Sequence, residues 1–242
     1  MEPEIKIFPS PLSLAEEFAS EFVRIINKSA KKSIPFTVAL SGGSTPELLF
    51  SLLGDKYSEN ADWSNAHFFW CDERCVPPGD SKSNFGMAND KFISKTEIPS
   101  ANIHRITGES NPAMEALRYS SEIEAFTRKR DGFPVFDLML LGVGDDGHTS
   151  SVFPGHTDSF ASGKICEVAV HPATGQKRIT VTGTVINNAD NVIFLVTGKK
   201  KALIVRDIIS RNKNSGKFPA AFVNPAYGHL RWYLDEEAAS YL

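Results

Sequence analysis

The sequence has few cysteines, no long apolar run and no excess of basic charge. Three cysteines among 242 residues, Cys71, Cys75 and Cys166, are too few for a disulfide framework and indicate a reducing compartment. A membrane-spanning helix would need about 18 consecutive apolar residues, and no such run occurs. The formal net charge of -3 argues against a general attraction to nucleic acid or to a membrane surface.

The amino terminus also lacks a feature that some proteins carry there. Residues 1–4 show neither the basic nor the apolar region of a secretory signal peptide. The chain shows no repeat, low-complexity tract or linker, and its hydrophobic fraction of 41% is enough for a large core. We therefore expect a single domain over residues 1–242, located in the cytoplasm.

Three potential metal ligands are evenly spaced in the first half of the chain. His67, Cys71 and Cys75 lie four residues apart, but this spacing is not a usual zinc-finger pattern and no second cluster of ligands is nearby. We interpret the thiols as buried or incidental. The sequence predicts neither a metal nor a cofactor.

Short apolar runs alternate with segments of helical periodicity along the whole chain. Runs typical of strands cover residues 34–40, 67–71, 138–141, 164–170, 178–182, 191–197, 219–223 and 230–234. Segments typical of helices begin at Ser10-Pro11, at Pro46 and at the lysine run 199–201, and others cover residues 84–93, 114–130 and 235–240. In segment 114–130, Leu117, Ile123 and Phe126 are expected to face the core. The alternation predicts an α/β fold, a single doubly wound, mostly parallel, Rossmann-like sheet flanked by helices.

Candidate catalytic side chains follow the strand predicted over residues 138–141. The apolar run ends in a glycine-rich turn that contains Asp145, Asp146 and His148. A run this short is also compatible with a buried helix segment. If it is a strand, its carboxyl end is where open α/β sheets bind their ligands. A histidine beside two acids at that place is a candidate for acid–base chemistry.

The same turn matches the dinucleotide-binding pattern G-x-G-x-x-G over residues 142–147, with Glu167 about 20 residues further on. A pyrophosphate held there would lie beside Asp145 and Asp146. Each contact between like charges at about 4 Å would cost roughly 4 kcal/mol before screening. Glu167 also lies inside a predicted strand instead of at its end. We favour a role for the acids beside His148, where a carboxylate orients the imidazole and stabilises its protonated form.

A second glycine-rich turn follows the strand predicted over residues 34–40. Gly42 and Gly43 let the backbone approach a ligand closely, and Ser44 or Thr45 can cap the helix that begins at Pro46. The unpaired N–H groups and the helix dipole would favour an anion there. An ordinary turn with an ordinary cap fits these residues equally well, and the turn lacks the lysine of a nucleotide P-loop.

Charged residues stand near three other predicted strands. Asp72 and Arg74 follow the strand over residues 67–71, and Arg178 begins the strand over residues 178–182. Lys201 ends a run of three lysines that opens a helix, which is unfavourable for the helix dipole unless an anion is near. From spacing alone, Lys201 suits an anion-facing role and a solvated surface equally, whereas its two neighbours are interpreted as solvated.

Four of these stretches together resemble the 6-phosphogluconolactonase family. They are LSGGSTP at residues 40–46, CDER at 71–74, LGVGDDGHTSSVFP at 141–154 and RITVT at 178–182. The turn Thr197-Gly-x-x-Lys201-Ala and the closing residues 232–235 also fit. The resemblance implies a fold shared with glucosamine-6-phosphate deaminase and ribose-5-phosphate isomerase. It also implies hydrolysis of 6-phosphoglucono-1,5-lactone in the oxidative pentose phosphate pathway.

The resemblance implies a role for each matching residue. His148 would take a proton from the attacking water and return it to the ring oxygen, and Asp146 would orient it. Asp145 stands at a position that the family varies. The residues that would hold the phosphate and the sugar are Gly42, Gly43, Ser44, Thr45, Asp72, Arg74, Arg178 and Lys201. The implied partner is a small phosphorylated sugar lactone, with no nucleic acid and no membrane, bound by a monomer.

Two other functions are compatible with such a fold. Amino-sugar-phosphate deaminases and isomerases resemble the Asp-Gly-His turn, but they carry a tyrosine where this chain has Arg74 and a glutamate where it has Phe153. The missing glutamate removes an acid–base partner that isomerisation needs. A non-catalytic sugar-phosphate sensor is the other alternative, because a fold alone does not give a function. His148 with Asp146, and the lack of an appended partner segment, argue against it.

Overall fold

A computed structural model describes residues 3–32 and 34–242 of the chain. The α-helices in it are α1 (Pro11–Ser29), α2 (Ser44–Lys56), α3 (Asn84–Lys91), α4 (Pro112–Phe126), α5 (Gly183–Asn188) and α6 (Ala202–Ile209). The strands are β1 (Glu4–Phe8), β2 (Phe36–Leu40), β3 (Ala66–Trp70), β4 (Asp72–Arg74), β5 (Arg128–Arg130), β6 (Phe133–Val135), β7 (Leu138–Leu141), β8 (Cys166–Val170), β9 (Lys177–Val181), β10 (Asn191–Val196) and β11 (His229–Asp235).

A six-stranded sheet flanked by helices forms the centre of the molecule, in the order β1-β11-β10-β7-β2-β3. Every neighbouring pair in it is parallel. The central strand β7 is buried along its whole length, which explains its unbroken apolar sequence. The predicted α/β class with a parallel sheet is confirmed. Because the strands run parallel, their carboxyl ends meet at one edge, and the candidate site forms there.

A second sheet lies beside the first and was not predicted. Strands β4, β9 and β8 form an antiparallel sheet of three, where the sequence suggested that residues 164–170 and 178–182 join the main sheet. The backbone N–H of His171 donates to the carbonyl of Gln176 at 2.9 Å, so a short turn closes β8 and β9 into a hairpin. Strand β4 follows β3 after one residue and pairs with β9, which sets Arg74 opposite Arg178. This register brings two cations from distant parts of the chain to one place.

The start of α1 is as predicted from Ser10 and Pro11. The Ser10 hydroxyl accepts the backbone N–H of Ser13 at 3.1 Å, and the Ser13 hydroxyl accepts the N–H of Ser10 at 3.0 Å. Pro11 occupies the first turn, where its missing N–H costs nothing. These reciprocal bonds satisfy two of the donors that a helix start leaves free.

Several predicted boundaries are wrong. Helix α4 ends at Phe126, because residues 128–130 pair with β6 as a strand. Ile123 is buried as expected, but Leu117 is 66% exposed and Phe126 is 38% exposed. The strand predicted over residues 219–223 is a short 3-10 turn, Pro219–Phe222, and proline has no N–H to give to a strand ladder. Residues 236–240 form turns instead of a helix, and strand β1 was not predicted.

None of the helices described in residues 3–32 and 34–242 combines the length and the apolarity that crossing a bilayer requires. The expectation about a signal peptide depends partly on Met1 and Glu2, which lie outside the described residues.

Candidate active site

A cleft of about 220 Å³ opens at the carboxyl edge of the main sheet. Its walls come from the turns after β2 and β7, from the second sheet and from the residues that precede α6. The predicted site residues that line it are Gly42, Gly43, Ser44, Thr45, Asp72, Arg74, His148, Arg178 and Lys201. Asp146, the remaining predicted residue, contacts His148. The fold therefore brings together residues that lie up to about 160 positions apart in the chain.

His148 and Asp146 form a close pair. The imidazole Nδ1 lies 2.5 Å from Asp146 Oδ1, and the His148 backbone N–H donates to the same oxygen at 3.1 Å. Burial favours a raised pKa for Asp146, but hydrogen bonds from the His148 ring and backbone, together with the histidine's charge, lower that pKa to about 2. The ionised carboxylate can only accept, so Nδ1 carries the proton and Nε2 of neutral His148 is free to accept another.

The glycines of the turn after β7 make this pair possible. Gly147 has a φ of +80°, which side chains other than glycine rarely adopt. At Gly144 a Cβ atom would lie 2.0 Å from His148 Nδ1 and 2.8 Å from Asp146 Oδ1. The Gly144 N–H donates to the His148 carbonyl at 2.8 Å and closes the turn. The glycine pattern, which resembles a dinucleotide motif, therefore shapes the turn around the histidine.

Phe153 separates His148 from Arg178. Its buried ring lies 5.0 Å from the His148 ring between centroids, and the Arg178 guanidinium carbon lies 5.5 Å from it on a cation–π contact. The family resemblance implies that deaminases of this fold carry a glutamate at this position. This chain thus has an apolar ring beside the histidine, at the position of the glutamate that the resemblance implies for deaminases.

The turn after β2 presents backbone donors to the cleft. Helix α2 begins at Ser44 with Gly43 as its N-cap residue at a φ of +110°, and no side chain caps it. The predicted cap by Ser44 or Thr45, with the helix beginning at Pro46, is wrong, because the Thr45 hydroxyl instead bonds that of Thr197 at 2.8 Å. Uncapped N–H groups at a helix start that lines a cleft can bind an anion.

Asp72 is a buried carboxylate in the wall of the cleft. It accepts the Ser151 hydroxyl at 2.5 Å and the Asn84 amide at 3.2 Å, and Arg178 Nη1 lies 3.8 Å away. Asn84 also packs on the glycine turn, since a Cβ at Gly42 would lie 1.8 Å from its Oδ1. These contacts hold Ser151 and Asn84 in place beside Asp72. Asn84 and Ser151 were missed from the sequence, although Ser151 lies in the stretch that carries the family resemblance.

Two guanidinium groups in the wall of the cleft have hydrogen-bond donors without partners. The Nε atoms of Arg74 and Arg178 are buried and have no hydrogen-bond partner among the residues described. Arg74 Nη1 donates to the Lys82 carbonyl at 2.5 Å, which fixes that side chain. Burial lowers the pKa of Arg178 and the nearby Asp72 opposes this shift. Buried donors without partners in a cleft favour an anionic ligand.

Lys201 also lines the cleft, and its ammonium contacts the Asp145 carboxylate. The hydrogen bond from Lys201 lowers the pKa of Asp145. The sequence left open whether Lys201 faces an anion or solvent, and it did not predict this partner. Asp145 therefore bonds the cation, and among the residues described it has no hydrogen bond to His148.

The evenly spaced His67, Cys71 and Cys75 do not form a cluster. His67 Nδ1 bonds His104 Nε2 at 2.9 Å, and burial raises the pKa of the Cys71 thiol. Over the part of the chain that the structure describes, no three His, Cys, Asp or Glu side chains are grouped so that they could hold a metal ion. That the protein needs no metal or cofactor stays a prediction.

Comparisons with known proteins agree on one family. Residues 9–232 match the family model described as glucosamine-6-phosphate isomerases/6-phosphogluconolactonase. A 6-phosphogluconolactonase of Aggregatibacter actinomycetemcomitans is 41% identical over 236 residues, which cover 97% of this chain and 98% of the relative. A solved 6-phosphogluconolactonase from Trypanosoma brucei is 28% identical, with a TM-score of 0.88, 100% of this chain covered and 99% of the other.

A monomeric glucosamine-6-phosphate deaminase also shares the fold. It is 23% identical, with a TM-score of 0.80, and the match covers 99% of this chain and 100% of the deaminase. At this identity the likeness concerns the fold alone.

Proposed function

The chain belongs to the glucosamine-6-phosphate isomerase/6-phosphogluconolactonase family, and we propose that it hydrolyses 6-phospho-D-glucono-1,5-lactone to 6-phospho-D-gluconate with His148 as its proton carrier. Lactone hydrolysis, in the oxidative pentose phosphate pathway, is the activity that its curated relatives' names support. The observation that carries the assignment of His148 is its pairing with an ionised Asp146 inside a cleft with unpartnered cationic donors.

The proton steps follow from the geometry of the pair. Neutral His148 accepts a proton at Nε2 from the water whose oxygen attacks the lactone carbonyl, and the carbonyl electrons move onto the oxygen. When the tetrahedral intermediate collapses, the bond between C1 and the ring oxygen breaks. His148 then returns its proton to that oxygen, which becomes the hydroxyl at C5. Asp146 holds the ring and stabilises the imidazolium between the two steps.

The phosphate of the substrate is assigned to the basic side of the cleft. The backbone donors from Gly43 to Thr45, at the start of α2, can bind its oxygens without any charged side chain. Arg74 and Arg178 offer free Nε donors, and Lys201 offers a third cation. Asp72 would keep Arg178 and Asn84 in place.

An isomerising deaminase is disfavoured by one contact. Isomerisation moves a proton between carbon atoms and needs a second acid–base group near the histidine. Phe153, which packs 5.0 Å from the His148 ring, leaves no carboxyl group at that place. Lactone hydrolysis moves protons only between oxygen atoms and nitrogen, so a single histidine is sufficient.

We also expect the finer properties that the sequence suggested. The enzyme would act as a monomer of one domain in the cytoplasm, without nucleic acid. The formal net charge of -3 supports the last point.

The test is lactone turnover measured above the spontaneous rate. A glucose-6-phosphate dehydrogenase would generate the lactone in place, and its disappearance would be followed with the wild type and with His148→Gln. The variant should lose roughly 10²- to 10⁴-fold in kcat while binding 6-phosphogluconate. His229→Gln, an exposed histidine at the start of β11, is the matched control and should stay active. Near-normal turnover by His148→Gln would refute the assigned role, and product binding without turnover by the wild type would favour a sensor.

A further inference from the structure

Lys201 and Asp145 are bonded only to each other among the side-chain contacts of the residues described. The Lys201 ammonium contacts the Asp145 carboxylate, and neither charged group has another hydrogen bond or ion pair there. The Lys201 side chain is 22% exposed and lines the cleft, whereas that of Asp145 is 73% exposed. The pair thus joins the catalytic turn after β7 to the start of α6, across the mouth of the site.

We propose that Asp145 is a built-in competitor that occupies Lys201 until the substrate phosphate displaces it. This inference rests on the proposed function, because it assumes that Lys201 receives the phosphate. Asp145 would then set the affinity for every phosphorylated ligand of the cleft. It would take no part in proton transfer.

Charge and exposure support the displacement. A phosphate dianion bound at Lys201 would lie beside the Asp145 carboxylate, and like charges at such a distance repel. One of the two anions must therefore leave the ammonium. Asp145 can leave easily, since its side chain is mostly exposed and can be hydrated as soon as it turns outward. Asp146, one residue further, cannot move in this way because His148 holds it.

The cations next to Lys201 favour binding of an anion at this position even while Asp145 contacts Lys201. Lys199, Lys200 and Lys201 form a short 3-10 turn directly before α6, whose N-terminal end adds a partial positive charge. Lys200 also helps to lower the pKa of Asp145. Asp145 therefore remains ionised and competes over the whole neutral range.

A tether is the competing explanation for the same contact. If Asp145 only oriented Lys201 for the phosphate, its removal would weaken substrate binding. If Asp145 is a competitor, its removal strengthens binding. The direction of the change in KM therefore separates the two roles, and a purely structural role would move neither KM nor product affinity.

The experiment compares Asp145→Asn with the wild type in lactone turnover and in calorimetric binding of 6-phosphogluconate. We expect KM and the product Kd each to fall about two- to fivefold, the range of a partly exposed ion pair. The effect should fall on KM more than on kcat. Asp158→Asn is the control, because it makes the same change in net charge at the 3-10 turn Thr157–Ala161, outside the cleft.

A double variant makes the test specific to the pair. In a Lys201→Ala background, where the contested cation is gone, Asp145→Asn should no longer strengthen binding through Lys201. An unchanged or raised KM in Asp145→Asn would overturn the proposal, as would an equal gain in the Lys201→Ala background. Absence of lactone turnover by the wild type would instead refute the proposed hydrolase function. Product binding would then still test the competition, and a wild type that fails to bind product would overturn both.

Discussion

Gly144 matters to the site because it has no side chain. The His148 ring occupies the space where a Cβ of residue 144 would project, at 2.0 Å from Nδ1. The backbone of Gly144 is not in the left-handed region, so alanine is compatible with its φ. A substitution there therefore acts on the ring and leaves the turn itself unstrained.

We expect Gly144→Ala to reduce kcat about a hundredfold, because the added methyl group displaces the histidine by an ångström or more from Asp146. The measurement is kcat for the lactone, together with the urea midpoint to show that the protein still folds. Gly163→Ala is the matched control, since that exposed glycine has open space where a Cβ would lie. Activity close to that of the wild type in Gly144→Ala would show that the ring has room to move and still function.

Residues that are neighbours in the sequence could be assigned before the structure was known. His148 and Asp146 lie two positions apart in one turn, so their pairing follows from local geometry. The contact between Asp72 and Ser151 is not local in the same way. The two residues are 79 positions apart, and they meet only because the second sheet packs as it does. No local pattern marks Ser151 as a neighbour of Asp72.

At the scale of elements, two histidines link β3 to α4. His67 Nδ1 bonds His104 Nε2 at 2.9 Å, and His104 Nδ1 bonds Glu122 at 2.6 Å. Arg118 lies 3.5 Å from the far oxygen of Glu122. Burial lowers the pKa of both histidines; the charge of His104 lowers that of His67 further, and Glu122 partly offsets the shift at His104.

These pKa shifts predict that acid destabilises the fold. Because the folded pKa values are lowered, the unfolded chain binds protons more readily, and the stability is fully present only above the unfolded pKa of about 6.5. The free energy of unfolding should fall as the pH drops below it, by at most about 1.4 kcal/mol per pH unit for each histidine. Solvent screening reduces the share of the half-buried His67.

Urea unfolding at pH 7.5 and 5.5 checks this prediction. The variant His67→Phe keeps an aromatic ring against His104 and Phe126 but removes one titrating group. It should lose less stability than the wild type between the two pH values. Equal losses in the two proteins would mean that this pair does not control the acid response.

Elements with strong local signals were predicted well, and those that depend on pairing were not. The start of α1 follows from Ser10, Pro11 and the serine that completes the capping box. The segment after α4 was assigned to the helix because its charged residues suit an exposed helical face. It became strand β5 because β6 offers it a hydrogen-bonding partner, which sequence periodicity does not reveal.

For the whole molecule, we predict a monomer. The large apolar side chains that remain exposed are spread over several elements in small groups, with Met114 and Leu117 on α4 and Val168 and Val170 on β8. Small exposed apolar patches are normal on a monomer. Strand β1 is one of the two edges of the main sheet, with Ile5 and Ile7 exposed, and is the place where we expect any self-association to begin.

Light scattering after gel filtration should give a mass near 26.6 kDa at all concentrations. A mass about twice as large would contradict the prediction. In that case Ile7→Lys, which places a charge on the edge strand, would show whether β1 forms the contact by restoring the smaller mass.

The sequence by itself determined the α/β class, most of the parallel strands, the two glycine-rich turns and the residues that converge on the cleft. The class, the strands and the turns depend on periodicity, on glycine and on helix starts, which are properties of residues close together in the chain. The residues of the cleft were implied by the family resemblance, since their local signals alone were weak. Only the tertiary structure decided that β4 pairs with β9, that Asp72 holds Ser151 and that Lys201 meets Asp145 across 56 residues. Such contacts depend on which surfaces pack together. The balance between many competing pairings determines this packing, and a local sequence pattern contains no information about that balance.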